Sequence, residues 1–567
     1  MPEPIVSVII GAYNAMPYLT RCVESVLEQS IGVGELECVV VDDGSTDGTG
    51  AELDRFAAAH PAVVRVVHQP NSGGASAPRN AALGLARGRY VFFLDADDYL
   101  GPDALRRMSD MADRNGSDVV LGKYVGANGN RVPRSMFGAN VERADLADSP
   151  VWNALAPHKM FRRAFVEKHR LRFDEDIRIG EDRLFVVRAY LLASAVSVVA
   201  DRDCYYKVQR ADDGNITSNF TDLMERFEVA RRLMGIIVEA AEPGPVREAA
   251  ILRHFRGGLL DSFNWRFLRL DDRDRDRALR IARQQLDDHY TPQIAARIPA
   301  LSRLYAHLVQ HDMRKELEHV VEYVTAVNEE RRLPPRVMAD RGRAYLDYPY
   351  FRDGRAGVPD FCYDITAELR QDDRLDSVTW SQSPHGPLLR LRGHGYIGRI
   401  DSGRTDTEIV LRLRDDGREV RVPARVEPSP EVTRSHGLGP GGQVLYDYGQ
   451  AGFTAKADIF RALDGRPLTE GIWDVYLSVR AHGLDSERRF GARRAQGTGL
   501  PPAIRVGGLM AKPYFTAGYG NLSLIISPQD AAPRGVRTRV RPVRTAPVRL
   551  RRALRRRLNR LRRRSGG

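Results

Sequence analysis

Asp95, Asp97 and Asp98 close a run that begins Tyr90-Val91-Phe92-Phe93-Leu94. An apolar run of this kind reads as a buried strand. Carboxylates at the carboxyl end of a buried strand lie where open α/β sheets bind their ligands. Three acids this close repel one another unless a cation or a hydrogen-bond network holds them. A hard divalent ion such as Mg²⁺ or Mn²⁺ takes oxygen ligands, commonly one or two carboxylates together with substrate phosphates. The chemistry on offer is therefore a metal–diphosphate site. An acidic turn in which one Asp caps a helix is the competing reading, and these residues alone leave both open.

The surrounding elements favour the first. Val6 to Ala12 is a second apolar strand, followed by Tyr13-Asn14. Met16 to Gln29 has helical spacing, with Leu19, Val23, Val26 and Leu27 on one side. Cys38 to Val41 is a third strand and stops at Asp42-Asp43-Gly44-Ser45-Thr46-Asp47. Val63 to Val67 is a fourth, followed by Asn71-Ser72-Gly73-Gly74, and Pro78 to Ala86 opens a helix, since proline is tolerated in a first turn. This βαβαβαβ order predicts an α/β unit with a doubly wound, mostly parallel sheet, its polar clusters converging on one crevice. No Gly-x-Gly-x-x-Gly and no Walker-type Lys-Ser/Thr occurs, so dinucleotide and P-loop readings lose support.

The segments VSVIIGAYNAMPYL, VVVDDGSTDGT, NSGGASAPRNAAL and VFFLDADDYL, in this order, resemble the family 2 glycosyltransferases of GT-A fold. NSGGASAPRN, SDVVLGKYVGANGNRVPRSMF (117–137), LAPHKMFRRAFV (155–166) and IGEDRLFVVRAYL (179–191) are similar in more detail to the bacterial wall teichoic acid poly(ribitol-phosphate) β-N-acetylglucosaminyltransferases. The likeness is good over about residues 5–220 and looser beyond. It implies a metal-dependent, inverting transfer of N-acetylglucosamine or another hexose from a UDP-sugar to a hydroxyl of an anionic cell-wall glycopolymer. Synthesis of an exopolysaccharide or lipid-linked glycan is the alternative, and a non-catalytic adaptor the more distant one. Asp43 matches the position that contacts uracil, and Asn71 and Arg79 match nucleotide contacts; Ala12 and Tyr13 fall in the same set. Arg79 offers a planar fork of donors suited to a diphosphate. Asp95 and Asp97 match the Asp-x-Asp pair. Asp97 is the expected ligand of Mn²⁺ or Mg²⁺, and Asp95 the expected contact to ribose or metal-bound water. Asp98 is expected to face the donor sugar or the acceptor. Asp182 is the expected general base, with Glu181 as its rival; either acid also suits the first turn of a helix. Arg210 matches an arginine set against the diphosphate. Asn215 stands where these relatives tend to have His, and Asp212-Asp213-Gly214 reads as a flap. Gly11 departs from the family, which more often has Pro there.

The rest of the chain changes character. Residues 1–220 are read as the catalytic domain, and 221–345, rich in Arg, Leu, Ala and Glu at helical spacing, as a helical subdomain. Phe263, Trp265 and Phe267 are expected in its core. Residues 346–531 read as one β-sandwich or two small ones: Glu408 to Arg414 and Trp473 to Arg480 alternate. In the teichoic acid relatives such domains oligomerise; holding a polymeric acceptor is the competing role. Residues 534–567 carry fifteen Arg and no Lys, Asp or Glu, which exceeds the whole chain's net charge of +12, so everything before this tail is slightly acidic. Leu550, Leu554, Leu558 and Leu561 give the tail (532–567) a basic amphipathic pattern suited to an anionic membrane surface or a phosphate-rich polymer. Nucleic acid is not expected, because no recognition module accompanies the charge. Cys22, Cys38, Cys204 and Cys362 lie far apart, which argues against zinc and a disulfide framework. No signal region and no spanning run of ~20 apolar residues is read. The expected location is the cytoplasm, with peripheral attachment to the inner membrane face as an option.

Overall fold

The computed structural model describes residues 3–210, 222–403 and 405–528. Its N-terminal unit is built on an eight-stranded mixed sheet. β1 (Val6–Ala12), β2 (Leu36–Asp42), β3 (Val64–His68) and β4 (Tyr90–Phe93) run parallel in the order β3-β2-β1-β4. They are linked by α1 (Leu19–Leu27), α2 (Thr49–Ala59) and α3 (Ser76–Leu85). All four residues of β4 and all seven of β2 are buried, which is why they read as unbroken apolar runs.

Past β4 the parallel order breaks. The chain continues through β5 (Tyr99–Leu100), α4 (Ala104–Asn115), β6 (Val119–Ala127), β7 (Lys159–Arg162), α5 (Arg163–Lys168), α6 (Glu181–Leu192) and β8 (Val196–Val208). These strands extend the sheet as β4-β7-β6-β8-β5. β7 is antiparallel to β4, with Phe92 opposite Met160. The residues that enter β7 therefore lie at the same end of the sheet as the residues that leave β4.

Helices Leu223–Ala240, Pro245–His254, Asp272–His289, Ala300–Gln310 and Arg314–Asn328 follow. The first is capped by Asp222, which accepts from the N–H groups of Met224 and Glu225. One hydrophobic core runs from the sheet through these helices to Val358 and Tyr363. Phe263 and Phe267 are buried in it, whereas Trp265 is 36% exposed, against the expectation that it is core. The last part of the 221–345 stretch is not helical: β9 (Val337–Asp340) and β10 (Arg343–Leu346) form a hairpin.

The C-terminal strands are β11 (Gln371–Ser383), β12 (Gly386–Ile397), β13 (Thr405–Leu413), β14 (Glu419–Glu427), β15 (Gly452–Ala457), β16 (Gly471–Ala481), β17 (Leu484–Arg489), β18 (Ile504–Val506), β19 (Leu509–Phe515) and β20 (Leu522–Pro528). They pair along one path, β11-β12-β15-β14-β13-β16-β20-β19-β18, with β17 on β16. Trp473, Val475, Leu477 and Val479 of β16 alternate inward onto a single core with Ile409, Leu411, Leu389 and Phe453. The strands thus form one continuous antiparallel sheet over a single main core. Among the described residues no helix is long and apolar enough to cross a membrane. The tail (532–567) and the 212–215 flap lie outside the described residues.

Candidate active site

The turn after β4 gives its three acids three different settings. Asp95 is held at both oxygens: Arg79 Nη2 donates to Oδ1 at 2.8 Å, and His158 Nε2 lies 2.7 Å from Oδ2. Burial works against its charge, but His158 and Arg79 outweigh burial and keep the carboxyl well below its usual range. His158, at the entry to β7, is buried and stacks on Tyr205 with ring centroids 4.3 Å apart. Burial pulls its ring below the usual imidazole range, with Asp95 opposing, and its Nε2–H faces the Asp95 carboxylate.

Asp98 departs from expectation. It is 2% exposed and turns toward β8, where it accepts from Tyr205 Oη at 2.6 Å and Val208 N at 2.7 Å. This carboxylate ties β8 to the β4 turn instead of facing donor or acceptor, because the reversed edge of the sheet closes over it. Asp97 is half-buried and, among the described residues, accepts from no side chain. Burial, reinforced by Asp95, pushes it up to about 6 against the pull of Arg210 and Lys207. A half-open carboxylate destabilised by its acidic neighbour is suited to a cation. Asp97 could offer an oxygen ligand to Mg²⁺ or Mn²⁺, while the donors that lie within 4.8 Å of one another among the described residues are those of Asp95, Asp98 and His158.

Arg79, on α3, spans two elements. Its Nη1 donates to Glu181 Oε1 at 2.9 Å while Nη2 holds Asp95. Its fork is thus engaged by carboxylates, where a diphosphate contact was expected. Glu181 and Asp182 form the first turn of α6, as their sequence suggested. Gly180 enters that helix with φ +97°, and a Cβ there would press on Val229 at 3.0 Å, so the turn requires glycine. Glu181 is buried, and burial together with Asp182 pushes it up to about 7 against Arg79. Asp182 is half-exposed and accepts from its neighbour's backbone, Arg183 N, at 2.7 Å. Of the two acids, Asp182 is the one open to a substrate hydroxyl.

On the nucleotide side, Ala12 ends β1 in the core and Tyr13 is 48% exposed at the lip. Asp43, expected to face uracil, is buried and braces the next loop: it accepts from Gln69 Nε2 at 2.6 Å and Ser72 Oγ at 2.8 Å. Asn71 donates to the Asp43 carbonyl at 3.0 Å. Arg210 donates to the Asn14 carbonyl at 3.1 Å and stacks on Tyr18. The space beside Gly11 is filled by Pro78, 3.2 Å from where a Cβ would stand.

Residues that the sequence did not single out complete the site. Lys159 is fully buried, donates to the Ala156 carbonyl and to Tyr124 Oη, and is pulled by burial down to about 7, with Asp182 opposing. Beyond Asp182 stand Arg183, Arg226, Arg253 and Arg266, none in an ion pair among the described residues. Gly257 and Gly258 let this cluster form, because a Cβ on either would collide with the guanidinium of Arg253 or Arg183. Burial, then Arg253, pulls Arg183 down to about 10. Arg226 is lowered by burial and by Arg266. The acid facing Arg253, Arg226 and Arg183 is Asp261, so positive charge predominates. Arg266 Nε is buried without a hydrogen-bond acceptor. Cations packed this way invite an anion.

Comparison with known proteins agrees with this architecture. Residues 7–170 match Glycosyl transferase family 2, 225–321 the glycosyl transferase TarS linker domain, and 369–526 the TarS β-glycosyltransferase C-terminal domain 1. A poly(ribitol-phosphate) β-glucosyltransferase of Bacillus spizizenii is 26% identical over 92% of this chain and 78% of its own length. The poly(ribitol-phosphate) β-N-acetylglucosaminyltransferase TarS of Staphylococcus aureus is 33% identical, over 46% of this chain and 45% of its own. The crystal structure of S. aureus TarS shares the fold at TM-score 0.57 and 24% identity, covering 92% of this chain and 85% of that one. Its 1–349 fragment in complex with UDP-GlcNAc gives TM-score 0.53 at 26% identity over 62% of this chain and 98% of that one. The N-terminal domain is thus a family 2 glycosyltransferase domain, followed in order by a TarS-type linker and C-terminal domain.

Proposed function

We propose that the protein transfers a hexose or N-acetylglucosamine from a UDP-sugar to a hydroxyl of a poly(ribitol-phosphate)-type anionic polymer, with inversion. The observation that carries this reading is the juxtaposition of an open carboxylate, Asp182, with Arg183, which forms no ion pair among the described residues and lies in a cluster with Arg253 and Arg226. An acceptor bearing both hydroxyls and phosphodiesters satisfies both. Relatives acting on poly(ribitol phosphate) support the same acceptor class.

In this reading Asp182 takes the proton from the acceptor hydroxyl as its oxygen bonds to the anomeric carbon. The bond from that carbon to the diphosphate breaks on the opposite face, and UDP leaves with the electron pair. A single displacement turns an α-linked donor into a β-linked product. Asp97 would hold Mg²⁺ or Mn²⁺, which when bound neutralises charge on the departing diphosphate. Arg210 lies on the same side and adds positive charge beside Asp97. Glu181, buried against Arg79, fixes the turn that presents Asp182.

The test is UDP release and polymer labelling with UDP-GlcNAc and UDP-glucose, Mn²⁺, and either poly(ribitol phosphate) or a neutral glycan. Asp182→Asn should lower transfer by about 10²–10⁴-fold with donor binding unchanged. Full activity in that variant, or equal labelling of the neutral polymer, would overturn the reading.

A further inference from the structure

His68 has both ring nitrogens against carboxylates. Nδ1 lies 2.9 Å from Asp42 Oδ2, and Nε2 lies 3.0 Å from Asp54 Oδ1. Those two acids flank one connection: Asp42 is the last residue of β2, and Asp54 lies in α2. His68 ends β3, where the sheet register sets it opposite Asp42. One imidazole thus clasps both ends of the loop 43–48, on the nucleotide side of the site. Gly50 leaves room for the clasp, since a Cβ there would stand 2.9 Å from Asp42 Oδ2. From Asp42 the bonding continues inward. Its Oδ1 accepts from Ser45 N at 3.1 Å, Ser45 Oγ accepts from Asn14 N at 3.0 Å, and Asn14 Oδ1 accepts from Thr46 N at 2.9 Å. Asn14 follows Tyr13 at the lip, and its carbonyl accepts from Arg210. Asp43, next after Asp42, braces Gln69 and Ser72 from the same loop.

We propose that His68 is a positioning residue for donor binding: its protonated ring holds the loop 43–48 in the form that takes the nucleoside, and loss of the proton weakens that hold. This rests on the UDP-sugar reading given above. Only an imidazolium donates at both nitrogens; a neutral ring has one N–H and turns a lone pair toward the other acid. The two acids are not equal at that moment. The Asp42 side chain is 7% exposed and that of Asp54 68%, so water can serve Asp54 and not Asp42. The remaining N–H therefore stays on Asp42, and the α2 end of the loop is let go. The charged groups bonded to the ring are Asp42 from β2 and Asp54 from α2. Together they hold it charged above the usual imidazole range, with burial opposing. The hold is complete below the ordinary range and is lost as pH rises through the raised one. The ring is itself half-exposed, so the effect on binding is a few-fold and shrinks with added salt.

The experiment measures UDP binding to the full chain by calorimetry, with Mn²⁺ present, across a pH series. His68→Gln has no titrating ring, so its own series carries the pH effects that belong to UDP and to the other groups. The affinity of wild type relative to His68→Gln should be about threefold higher at about pH 6 than at about pH 8.5. Asp54→Asn removes one acid from the ring and leaves Asp42 in place. It should move the midpoint of the pH dependence below that of wild type by about 0.5. A histidine that merely packed against β2 would give neither change. The proposal is overturned if the ratio of wild-type to His68→Gln affinity is the same at both pH values, or if Asp54→Asn leaves the midpoint where it was. Absence of UDP binding to wild type at every pH would instead overturn the UDP-sugar reading, and the proposal with it. Should His68→Gln fail to fold, the midpoint in Asp54→Asn decides the matter alone.

Discussion

Replacing Arg79 by methionine removes the cation that Asp95 and Glu181 share. The Arg79 side chain is 11% exposed and that of Glu181 10%, so solvent cannot take over the pairing. Removing one partner of a buried ion pair costs about 3–5 kcal/mol, because a desolvated charge is left behind. Asp95 keeps His158 at 2.7 Å and bears the smaller share. Glu181 has no second side-chain partner among the described residues and stands beside Asp182, so most of the cost falls there. We therefore expect Arg79→Met to lower the stability of the catalytic domain by about 3 kcal/mol at pH 8. In a Glu181→Gln background the same change should cost only about 1 kcal/mol. The pH dependence has a definite sign. Glu181 sits at about 7 in the folded protein against an ordinary 4.5, so the folded state binds a proton that the unfolded state does not between those values. Its contribution to stability is present below 4.5 and lost as pH rises through 7. Glu181→Gln should therefore stabilise by about 3 kcal/mol at pH 8 and by almost nothing at pH 4.5. Native-state hydrogen exchange on peptides from β4 and α6 reads this domain separately from the others. Costs that add to within about 0.5 kcal/mol, or a Glu181→Gln effect that is the same at both pH values, would refute the reasoning.

Other outcomes follow from the same geometry. Lys159 falls from 10.5 to about 7 on burial, so stability rises with pH across that interval; Lys159→Met should gain up to about 5 kcal/mol at pH 6, with the gap closing toward pH 10, and a pH-independent offset in denaturation would count against it. Arg183→Gln and Arg266→Gln should each raise the KM for a phosphodiester polymer roughly tenfold, weaken its salt dependence and leave the donor KM alone; an unchanged acceptor KM would remove the anion role. Deleting residues 534–567, with their fifteen arginines, should weaken sedimentation with phosphatidylglycerol vesicles more than turnover on a soluble acceptor, and equal sedimentation would show that the tail does not attach the protein.

Much of the fold was legible because burial writes itself into residue type. β2 and β4 are covered on both faces and read as solid apolar runs, while β13 and β16 are half-covered and alternate. The turn of α6 announced itself through Gly180, Glu181 and Asp182. What stayed hidden depends on tertiary placement. Asp95, Asp97 and Asp98 are chemically alike on paper, and only the closure of β8 over the turn decides that Asp98 is structural. His158 lies within a segment whose likeness to the family was plain, yet nothing in its spacing says that it meets Asp95 across 63 positions. That meeting follows from β7 running against β4 within a mostly parallel sheet, a reversal that the βα pattern does not announce. Arg183, Arg253 and Arg266 were invisible among the chain's many arginines, since a guanidinium without an ion pair among the described residues differs from a paired one only in its neighbours.

The C-terminal strands hydrogen-bond as one ladder whose end members are β11 and β18. Shortening the protein inside that ladder would not trim off a module. It would bare a fresh row of amides and carbonyls, ready to recruit a foreign chain and aggregate. A cut ahead of Gln371 exposes no such row, but it bares Ala344, Leu346 and Ile365, which share the core of these strands.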